Sequence, residues 1–505
     1  MERKTRRQFL QMATGFAGAA ILAACGGEAA TAVPATALRA TVAATVGGTA
    51  APAATIAPTV APMTAGATTA PAVTAAPAAT TAPAAATTGT MAQSVPAKKV
   101  GGTIRYLLRA GSPDEVKTTQ AFLDANFTKQ TDVKVSVEPT DANADEKLTA
   151  AMIGGTAQDV FDTWLGNITQ YADRGQVLDV NPLVQRDFKD ADIKDFFAWQ
   201  WKDFVLPSGL RFGVPKYVNT MFVYYNMDMF EKAGIKPIDD TWTHDTYADA
   251  AKKLTQGSTT GLWFPSYGTD RWWYKVAAFG GNVVDPADNT KAAFDAEPAQ
   301  VALEWIRKGT WDDKFIAQKN NIVGTGQRTF DAVPAAFASG RLGMVEDGFY
   351  PFVHAKAIGN KFKWAYAPVP KGPSGRKTLG TADGFAIWKG SKNPDAAWEL
   401  LKYLSGKEYQ LYLTQTTGYL PCRYSALDDF KKVCIAKYPE LANANIDVGR
   451  QAMEQGYPGN APLFKKDGEA QAIIMPALEK MYIVGSTPVT YMKDVAQQVT
   501  TKMRV

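Results

Sequence analysis

Histidine and cysteine are scarce in this chain of 505 residues. Two histidines, His244 and His354, leave little room for a histidine-rich zinc site or a histidine proton relay. Three cysteines exclude a disulfide-rich scaffold. The net charge of +5 is small for a nucleic-acid-binding protein, and no run of lysine and arginine concentrates it. We therefore expect no metal site, no cofactor and no nucleic-acid partner.

Aromatic and charged residues are missing from a long N-terminal segment. No aromatic residue occurs between Phe16 and Tyr106, and the charged residues between positions 26 and 97 are Glu28 and Arg39. This segment is almost entirely Ala, Thr, Pro, Gly and Val, so it cannot bury enough apolar surface to offset the entropy lost on ordering. It predicts a disordered tether over 26–97 with a span of roughly 45–50 Å. The same composition is found in O-glycosylated stalks, and that alternative stays open.

The first 25 residues have the layout of an export signal. Arg6 and Arg7 precede an uncharged, Ala-rich segment that is short for a transmembrane helix. The paired arginines resemble the twin-arginine class of signal, and the general export route is the alternative. The segment ends Leu-Ala-Ala-Cys, which resembles a bacterial lipobox and makes Cys25 the expected site of lipidation.

The remaining residues, 98–505, carry a net charge of +2 and contain no apolar run of 18 residues. Strand patterns at 103–108, 133–137 and 159–164 alternate with helical patterns, one beginning at Phe122 and one at 145–153. This alternation predicts an α/β fold with a parallel sheet, and 408 residues exceed a single core, so two lobes are expected. Farther along, Asn393 and Pro394 predict the start of a helix that runs to Leu404.

Six short motifs follow one another in order through this part of the chain. Together they resemble the extracellular solute-binding proteins of family 1, the maltose-binding-protein-like receptors of ABC importers. The motifs are Glu146-Lys147-Leu148 with Gly154-Gly155 and Gln158-Asp159-Val160, Tyr171 to Asp179, Gly213-Val214-Pro215 with Val223 to Asn226, Thr241-Trp242-Thr243, Phe337 to Met344, and Thr381 to Ile387 with Asn393 to Trp398. Two positions depart from the family pattern, because Gln158 and Asp240 stand where proline is usual.

The resemblance implies a periplasmic-binding-protein type II (Venus-flytrap) fold that closes on a ligand and delivers it to a membrane permease. On this basis 98–214 and 378–425 form lobe 1, and 215–377 and 426–505 form lobe 2. The expected protein is a monomer without catalytic activity, exported and held at the outer face of the cytoplasmic membrane, at the cell surface or in the periplasm. The expected ligand is a mono- or oligosaccharide.

Sugar clefts need aromatic faces for pyranose rings and planar polar side chains for hydroxyl groups. By their positions in the resemblance, eight residues are the candidate ligand-binding set, and Tyr217 and Tyr224 are candidate wall or hinge residues. Five other tryptophans, at 199, 201, 305, 388 and 398, are assigned to the core. The candidate set is Trp164, Asn167, Asn219, Trp272, Trp273, Phe349, Tyr350 and Asp383.

Two kinds of alternative to a sugar receptor stay open, a receptor for another solute and an enzyme. A receptor of the same fold could bind a phosphate ester, a polyamine, or iron through Tyr224-Tyr225. The net charge of the folded part is close to zero, however, so it produces no long-range electrostatic attraction for a charged ligand. A secreted glycoside hydrolase would need two carboxylates across the scissile bond, and no motif distinguishes such a pair.

Cys422 and Cys434 lie 12 residues apart in the part of the chain that is expected outside the cytoplasm. A structural disulfide between them is possible there.

Overall fold

A computed structural model describes residues 97–109, 113–140, 144–206, 208–265, 271–456, 458–459 and 461–505. The predicted signal, Cys25 and nearly all of the predicted tether lie outside these residues. No helix in the described part of the chain combines the length and the apolar character that a membrane crossing requires.

Nine strands form one mixed sheet, and two more form a small hairpin. The order in the main sheet is β2-β1-β3-β10-β4-β8-β5, with β11 added to β10 and β9 added to β4, and the hairpin is β6-β7. The strands are β1 (Thr103–Leu108), β2 (Lys134–Pro139), β3 (Val160–Trp164), β4 (Val214–Asn226), β5 (Thr260–Trp263), β6 (Val284–Asp285), β7 (Asp288–Ala292), β8 (Leu342–Gly348), β9 (Trp364–Ala367), β10 (Thr378–Ile387) and β11 (Pro458–Gly459).

Helices cover both faces of this sheet. The α-helices are α1 (Pro113–Ala125), α2 (Phe127–Thr131), α3 (Ala144–Gly154), α4 (Leu165–Asp173), α5 (Asn181–Asp187), α6 (Asp190–Lys194), α7 (Ala198–Asp203), α8 (Met227–Lys232), α9 (His244–Leu254), α10 (Trp273–Ala278), α11 (Glu297–Trp311), α12 (Lys319–Ile322), α13 (Thr329–Ala338), α14 (Pro351–Ile358), α15 (Pro394–Leu404), α16 (Lys407–Thr417), α17 (Tyr424–Lys437), α18 (Val448–Gln455), α19 (Asp467–Glu479) and α20 (Tyr491–Arg504). A 3₁₀ turn (Pro439–Asn443) and a π turn (Lys480–Val484) complete the set.

Two strands cross between the lobes. The first half of β4 pairs antiparallel with β10, and from Met221 onward its partners are β8 and β9. The second half of β10 pairs with β3 of the parallel β2-β1-β3 sheet. The predicted two-lobed α/β fold is therefore confirmed, with the cleft beside the crossing strands.

Alternation along the strands divides the core of the first lobe into two layers. Tyr106 and Leu108 on β1 point into one apolar cluster, whereas Leu107 points into another with Phe161 and Ile168. A third cluster in the second lobe packs helices α9, α10, α11, α19 and α20 against the other face of β4 and β8. Both faces of the sheet are buried, which explains why β4 and β8 have almost no exposed positions.

A bulge interrupts the pairing of β4 with β10. Asp383 lies opposite Tyr217, but the next residue, Gly384, lies opposite Pro215, so Lys216 is the extra residue. Gly384 is required here, because a Cβ at this position would lie 2.1 Å from the ring of Phe204. The bulge turns Lys216 into the interior and leaves Tyr217 facing Asp383.

The predicted boundaries of the two lobes, at 214/215, 377/378 and 425/426, stay a prediction. We propose that the chain changes lobe within β4 and β10, because each of these strands pairs with strands of both lobes. We also propose that the limit at 425/426 moves to the start of α17, since a continuous helix of 14 residues belongs to one lobe.

The expected disulfide is not formed. Cys422 and Cys434 are free thiols, and both are fully buried. The thiol of Cys422 lies 3.6 Å from the carbonyl oxygen of Pro215, and Cys434 lies on the buried face of α17. Burial raises the pKa of each thiol to about 12, so both remain protonated and unreactive at neutral pH.

Candidate functional site

A polar pocket opens where the parallel strands of the first lobe end. Its volume is about 380 Å³, within the range of ligand sites in proteins. Ligands favour the carboxyl ends of strands in sheets of this kind. The residues that line it are Leu107, Arg109, Thr140, Ala144, Asp145, Glu146, Leu148, Asp162 and Thr163.

Asp162 forms the floor of this pocket. Its carboxylate is almost fully buried and accepts hydrogen bonds from the Tyr106 hydroxyl at 2.9 Å and the Arg109 backbone N–H at 3.0 Å. It also pairs with the ammonium group of Lys216, the bulged residue of β4. A buried carboxylate with this many donors is a fixed part of the scaffold, and it holds the end of β1 against β3 and β4.

Asp383 lies at the junction of the two crossing strands. It accepts a hydrogen bond from the Tyr217 hydroxyl at 3.0 Å and lies 3.5 Å from the Arg109 guanidinium. Burial and the negative Asp383 raise the pKa of Tyr217 well above its ordinary value, so the phenol stays a donor. Burial disfavours the charged form of Arg109, yet Asp383 raises its pKa, so Arg109 remains a cation beside the pocket.

Aromatic rings continue this surface toward the second lobe. Tyr217 and Tyr419 stack with ring centroids 4.2 Å apart, and the ring of Tyr350 lies 6.3 Å from Tyr419. The hydroxyl of Tyr350 accepts a hydrogen bond of 2.6 Å from the Asn219 side-chain amide. Two sequence-predicted residues, Asn219 and Tyr350, are therefore in direct contact, next to the Tyr217–Asp383 pair.

A second arginine, Arg271, lies near Tyr350. The Arg271 guanidinium is 3.1 Å from the carboxylate of Asp347 on β8 and 3.1 Å from the sulfur of Met221. Burial raises the pKa of Tyr350, and the charges of Arg271, Asp347 and Asp383 all act on this hydroxyl. Charged groups from both lobes therefore converge on one tyrosine.

Trp164 and Trp273 are half-buried, one in each lobe. Trp164 ends β3 opposite Asp383, and its ring covers Gly166, where an added Cβ would lie 3.1 Å from the ring. Trp273 begins α10 and packs beside Gly459 of β11. Its indole N–H is buried and has no hydrogen-bond partner among the described residues, so the ring can offer a ligand its exposed edge or face but not this donor. Asn167, one turn into α4, donates to the Thr163 hydroxyl at 3.4 Å at the edge of the pocket.

Two of the eight candidates are core residues instead. Trp272 is 1% exposed and packs edge-on against Phe294. Phe349 is also 1% exposed, among Phe222 and Tyr366. Neither ring offers a free face to a ligand. The reason is local geometry: Trp273 and Tyr350 occupy the outward positions, so their neighbours in the chain point inward.

Sequence reasoning missed several residues of this region, which are Arg109, Asp145, Glu146, Arg271, Asp347 and Tyr419. Arg109 and Asp347 could have been found, because each lies at the end of a buried strand. Tyr419 carries no such signal, since its place beside Tyr217 depends on an isolated bridge between Val218 and Leu420. Tyr224, a candidate wall residue, is fully buried against His354 and Phe337.

Known proteins share this architecture. The maltodextrin-binding protein of Bacillus subtilis is 24% identical over 320 residues, which cover 60% of this chain and 70% of that protein. The structure of an ABC substrate-binding protein of Listeria monocytogenes in complex with cycloalternan matches with a TM-score of 0.68 and 20% identity, covering 80% of this chain and 99% of the other. The UgpB protein of Mycobacterium tuberculosis in complex with glycerophosphocholine matches with a TM-score of 0.62 and 18% identity, covering 80% and 98%.

The family assignment agrees with the two lobes and the crossing strands described above. The family model for bacterial extracellular solute-binding proteins matches residues 110–411, more than half of the chain. Members of this family bind substrates and are not enzymes. Some curated relatives are named for an oligosaccharide and others for sn-glycerol 3-phosphate, whereas the structural neighbours are mostly sugar-binding proteins. The chain belongs to the bacterial extracellular solute-binding proteins.

Proposed function

We propose that this protein is a lipid-anchored receptor of an ABC importer that captures a carbohydrate between its lobes and delivers it to a membrane permease. The observation that carries the proposal is the composition of the cleft. Half-buried rings of Trp164, Trp273 and Tyr350 lie beside pre-paired carboxylates and guanidinium groups. Flat rings cover the C–H faces of a sugar, and the charged groups bond its hydroxyls.

The ligand acts by stabilising the closed arrangement of the lobes. A sugar ring resting on Trp164 contacts the first lobe, and the same molecule reaches Tyr350 and Trp273 on the second. Binding that spans both lobes favours the closed state by the difference between its affinities for the two states. The crossing strands β4 and β10 are the elements that would bend, since they belong to both lobes.

The predicted lipid on Cys25 and the tether over 26–97 complete the proposal. A receptor held at the outer face of the membrane stays near its permease, and the tether raises the effective concentration of one for the other. The twin-arginine pair Arg6-Arg7 would direct export of the folded protein. We expect the receptor to act as a monomer, with one ligand per chain.

A phosphate ester is the second candidate ligand. Arg109 and Arg271 supply two guanidinium groups near Tyr350, and guanidinium groups bind phosphate well. The structural neighbour from Mycobacterium tuberculosis was solved with glycerophosphocholine. The sugar is preferred because both arginines are already bonded to carboxylates.

Calorimetry against a panel of ligands tests the proposal. The full chain is titrated with maltose, maltotriose, cyclic glucans, sn-glycerol 3-phosphate and spermidine. A saturable heat with a sugar, together with a ligand-dependent rise of the unfolding midpoint, is the expected result. Heat from none of the sugars but from the phosphate ester or the amine would overturn the carbohydrate assignment. Release of the protein into the medium on Cys25→Ala substitution tests the anchor separately.

A further inference from the structure

Three cations of the candidate site are each bonded to a carboxylate. Arg109 lies 3.5 Å from Asp383, and Arg271 lies 3.1 Å from Asp347. Lys216 pairs with Asp162 at the floor of the pocket. Each pair consists of side chains from different strands or loops, so the pairing belongs to the folded cleft and not to neighbouring residues in the chain.

The two arginine pairs are accessible, but unevenly. The side chain of Arg109 is 50% exposed and that of Asp383 is 13% exposed. The side chains of Arg271 and Asp347 are 22% and 10% exposed. Each pair therefore presents N–H donors and carboxylate oxygens side by side at the cleft wall. Tyr350 is connected to both pairs: it follows Asp347 by three residues, and its hydroxyl bonds Asn219, which lies two residues after Tyr217, the hydrogen-bond partner of Asp383.

Additional negative charge surrounds the first pair. Asp145 and Glu146 line the pocket beside Arg109, and both are exposed. Asp145 accepts hydrogen bonds from the hydroxyls of Thr163 and Tyr171, which are neutral groups. The three pairs cancel, so these two carboxylates leave the described part of the cleft with a negative balance.

This arrangement treats neutral and anionic ligands differently. Two adjacent hydroxyls can give one O–H to a carboxylate and accept one N–H from its arginine, and no charge has to move. A phosphate group can bond the same guanidinium by displacing the carboxylate, or by using the N–H groups that the carboxylate leaves free and lying close to it. Either choice places two negative groups together in a partly desolvated cleft, which is unfavourable.

We propose that the Arg109–Asp383 and Arg271–Asp347 pairs make the cleft selective for neutral carbohydrates with adjacent hydroxyls and exclude phosphate esters. The proposal rests on the proposed receptor function and narrows its ligand class. The selecting groups are the carboxylates, because they occupy the guanidinium groups that a phosphate would use. Removing one carboxylate charge should therefore admit an anion to the cleft.

The test compares the wild-type chain with Asp347→Asn and Asp383→Asn, using sn-glycerol 3-phosphate and a panel of neutral oligosaccharides as probes. We expect no measurable binding of the phosphate ester to the wild type. In each variant the ester should bind saturably, with a dissociation constant roughly tenfold or more below the limit that the wild-type titration sets, which is the size of a freed charge-assisted hydrogen bond. This dissociation constant should rise with salt. Asp312→Asn, which neutralises a carboxylate bonded to Arg307 on α11, is the matched control and should gain nothing.

The outcomes separate this proposal from the receptor function. Binding of the phosphate ester to the wild type as tightly as any sugar overturns the proposal, and so does the absence of any gain in both variants. If neither the wild type nor a variant binds a sugar, but the variants gain the phosphate ester, the selection by carboxylates stands and the carbohydrate assignment fails. The unfolding midpoint without ligand shows that each variant is folded before its affinity is read.

Discussion

The side-chain amide of Asn219 donates a hydrogen bond of 2.6 Å to the hydroxyl of Tyr350. Asn219 lies in the part of β4 that pairs with β10, just before β4 changes partner to β8. Tyr350 lies two residues after β8 ends, at the N-cap position of α14. This single bond therefore connects a crossing strand to the candidate ligand surface of the second lobe.

Removing the Tyr350 hydroxyl tests this connection. Tyr350→Phe keeps the ring but leaves the amide of Asn219 without this partner, so we expect the free energy of unfolding to fall by about 1 kcal/mol. Ligand affinity should fall as well, because the amide loses one of the contacts that position it. Urea unfolding and calorimetry measure the two effects. Tyr424→Phe, at a ring that is 40% exposed on α17, is the control. Equal effects in both variants would contradict the prediction.

Trp164 and Trp273 are expected to contribute to binding more than to stability. Trp164→Ala and Trp273→Ala should each weaken sugar binding by roughly tenfold, the size of a lost aromatic contact together with its buried area. Trp388→Ala is a matched control, because Trp388 follows the opposite end of β10 and bridges to Val177. Unchanged affinity in the two cleft variants, measured by calorimetry, would remove these rings from the site.

The adjacent tryptophans at 272 and 273 should behave in opposite ways. Trp272 is fully buried, so Trp272→Ala is expected to lower the free energy of unfolding by about 3–5 kcal/mol. Trp273→Ala should lower it clearly less, since this residue is only partly buried. Denaturant unfolding of the two variants in parallel gives the comparison. A larger loss from Trp273→Ala would mean that the core and cleft roles are reversed.

Stability should fall in acid because of a buried histidine. Burial lowers the pKa of His354 to about 3, and its Nδ1 lies 2.5 Å from the Tyr366 hydroxyl. The unfolded chain binds a proton near the ordinary value of about 6.5, so the contribution is complete above that pH and is lost as the pH falls from about 6.5 toward 3. At pH 5 the loss is roughly 2 kcal/mol.

His354→Gln checks this pH dependence. Unfolding in urea at several values between pH 7 and pH 5 should show a shallower slope in the variant than in the wild type. Some slope should remain, because burial and the neighbouring Lys275 lower the pKa of His244 in the same direction. An identical slope in wild type and variant would show that His354 titrates alike in the folded and unfolded states.

The two buried thiols should not react with a thiol reagent until the protein unfolds. In a Cys25→Ala chain, a thiol reagent should modify neither Cys422 nor Cys434 under native conditions and both in urea without reductant. A reducing agent should leave the unfolding midpoint unchanged, because no disulfide joins them. Failure to detect the two thiols in urea, followed by their appearance after reduction, would show that the disulfide forms after all.

Strands and helices with strong local patterns were predictable from the sequence. The strand pattern at 103–108 coincides with β1, and the helix predicted to run from Pro394 to Leu404 has those limits. The helical stretch placed at Phe122 begins nine residues earlier, at Pro113, because its polar first turns carry little hydrophobic periodicity. Asn393 occupies the predicted cap position, but its amide bonds the Thr103 carbonyl oxygen instead of its own helix.

The candidate site was less predictable than the fold. A sequence shows that Trp272 and Trp273 are adjacent, but the direction of each ring depends on how α10 packs. The Arg109–Asp383 pair joins residues 274 positions apart, and its formation depends on the bulge that sets β10 against β4. Such contacts are set by tertiary packing, and no local pattern records them.

The bulge at Lys216 places the candidate ligand-binding groups on the strand that crosses between the lobes. Lys216 braces the pocket floor, its neighbour Tyr217 bonds Asp383, and both belong to the strand that joins the lobes. A change of twist between the lobes therefore alters the spacing of these groups directly, with no intervening relay. We therefore expect substitutions at Lys216 or Tyr217 to change both the ligand affinity and the balance between open and closed forms. Selection for a new ligand and selection for transport rate would then act on the same short stretch of chain.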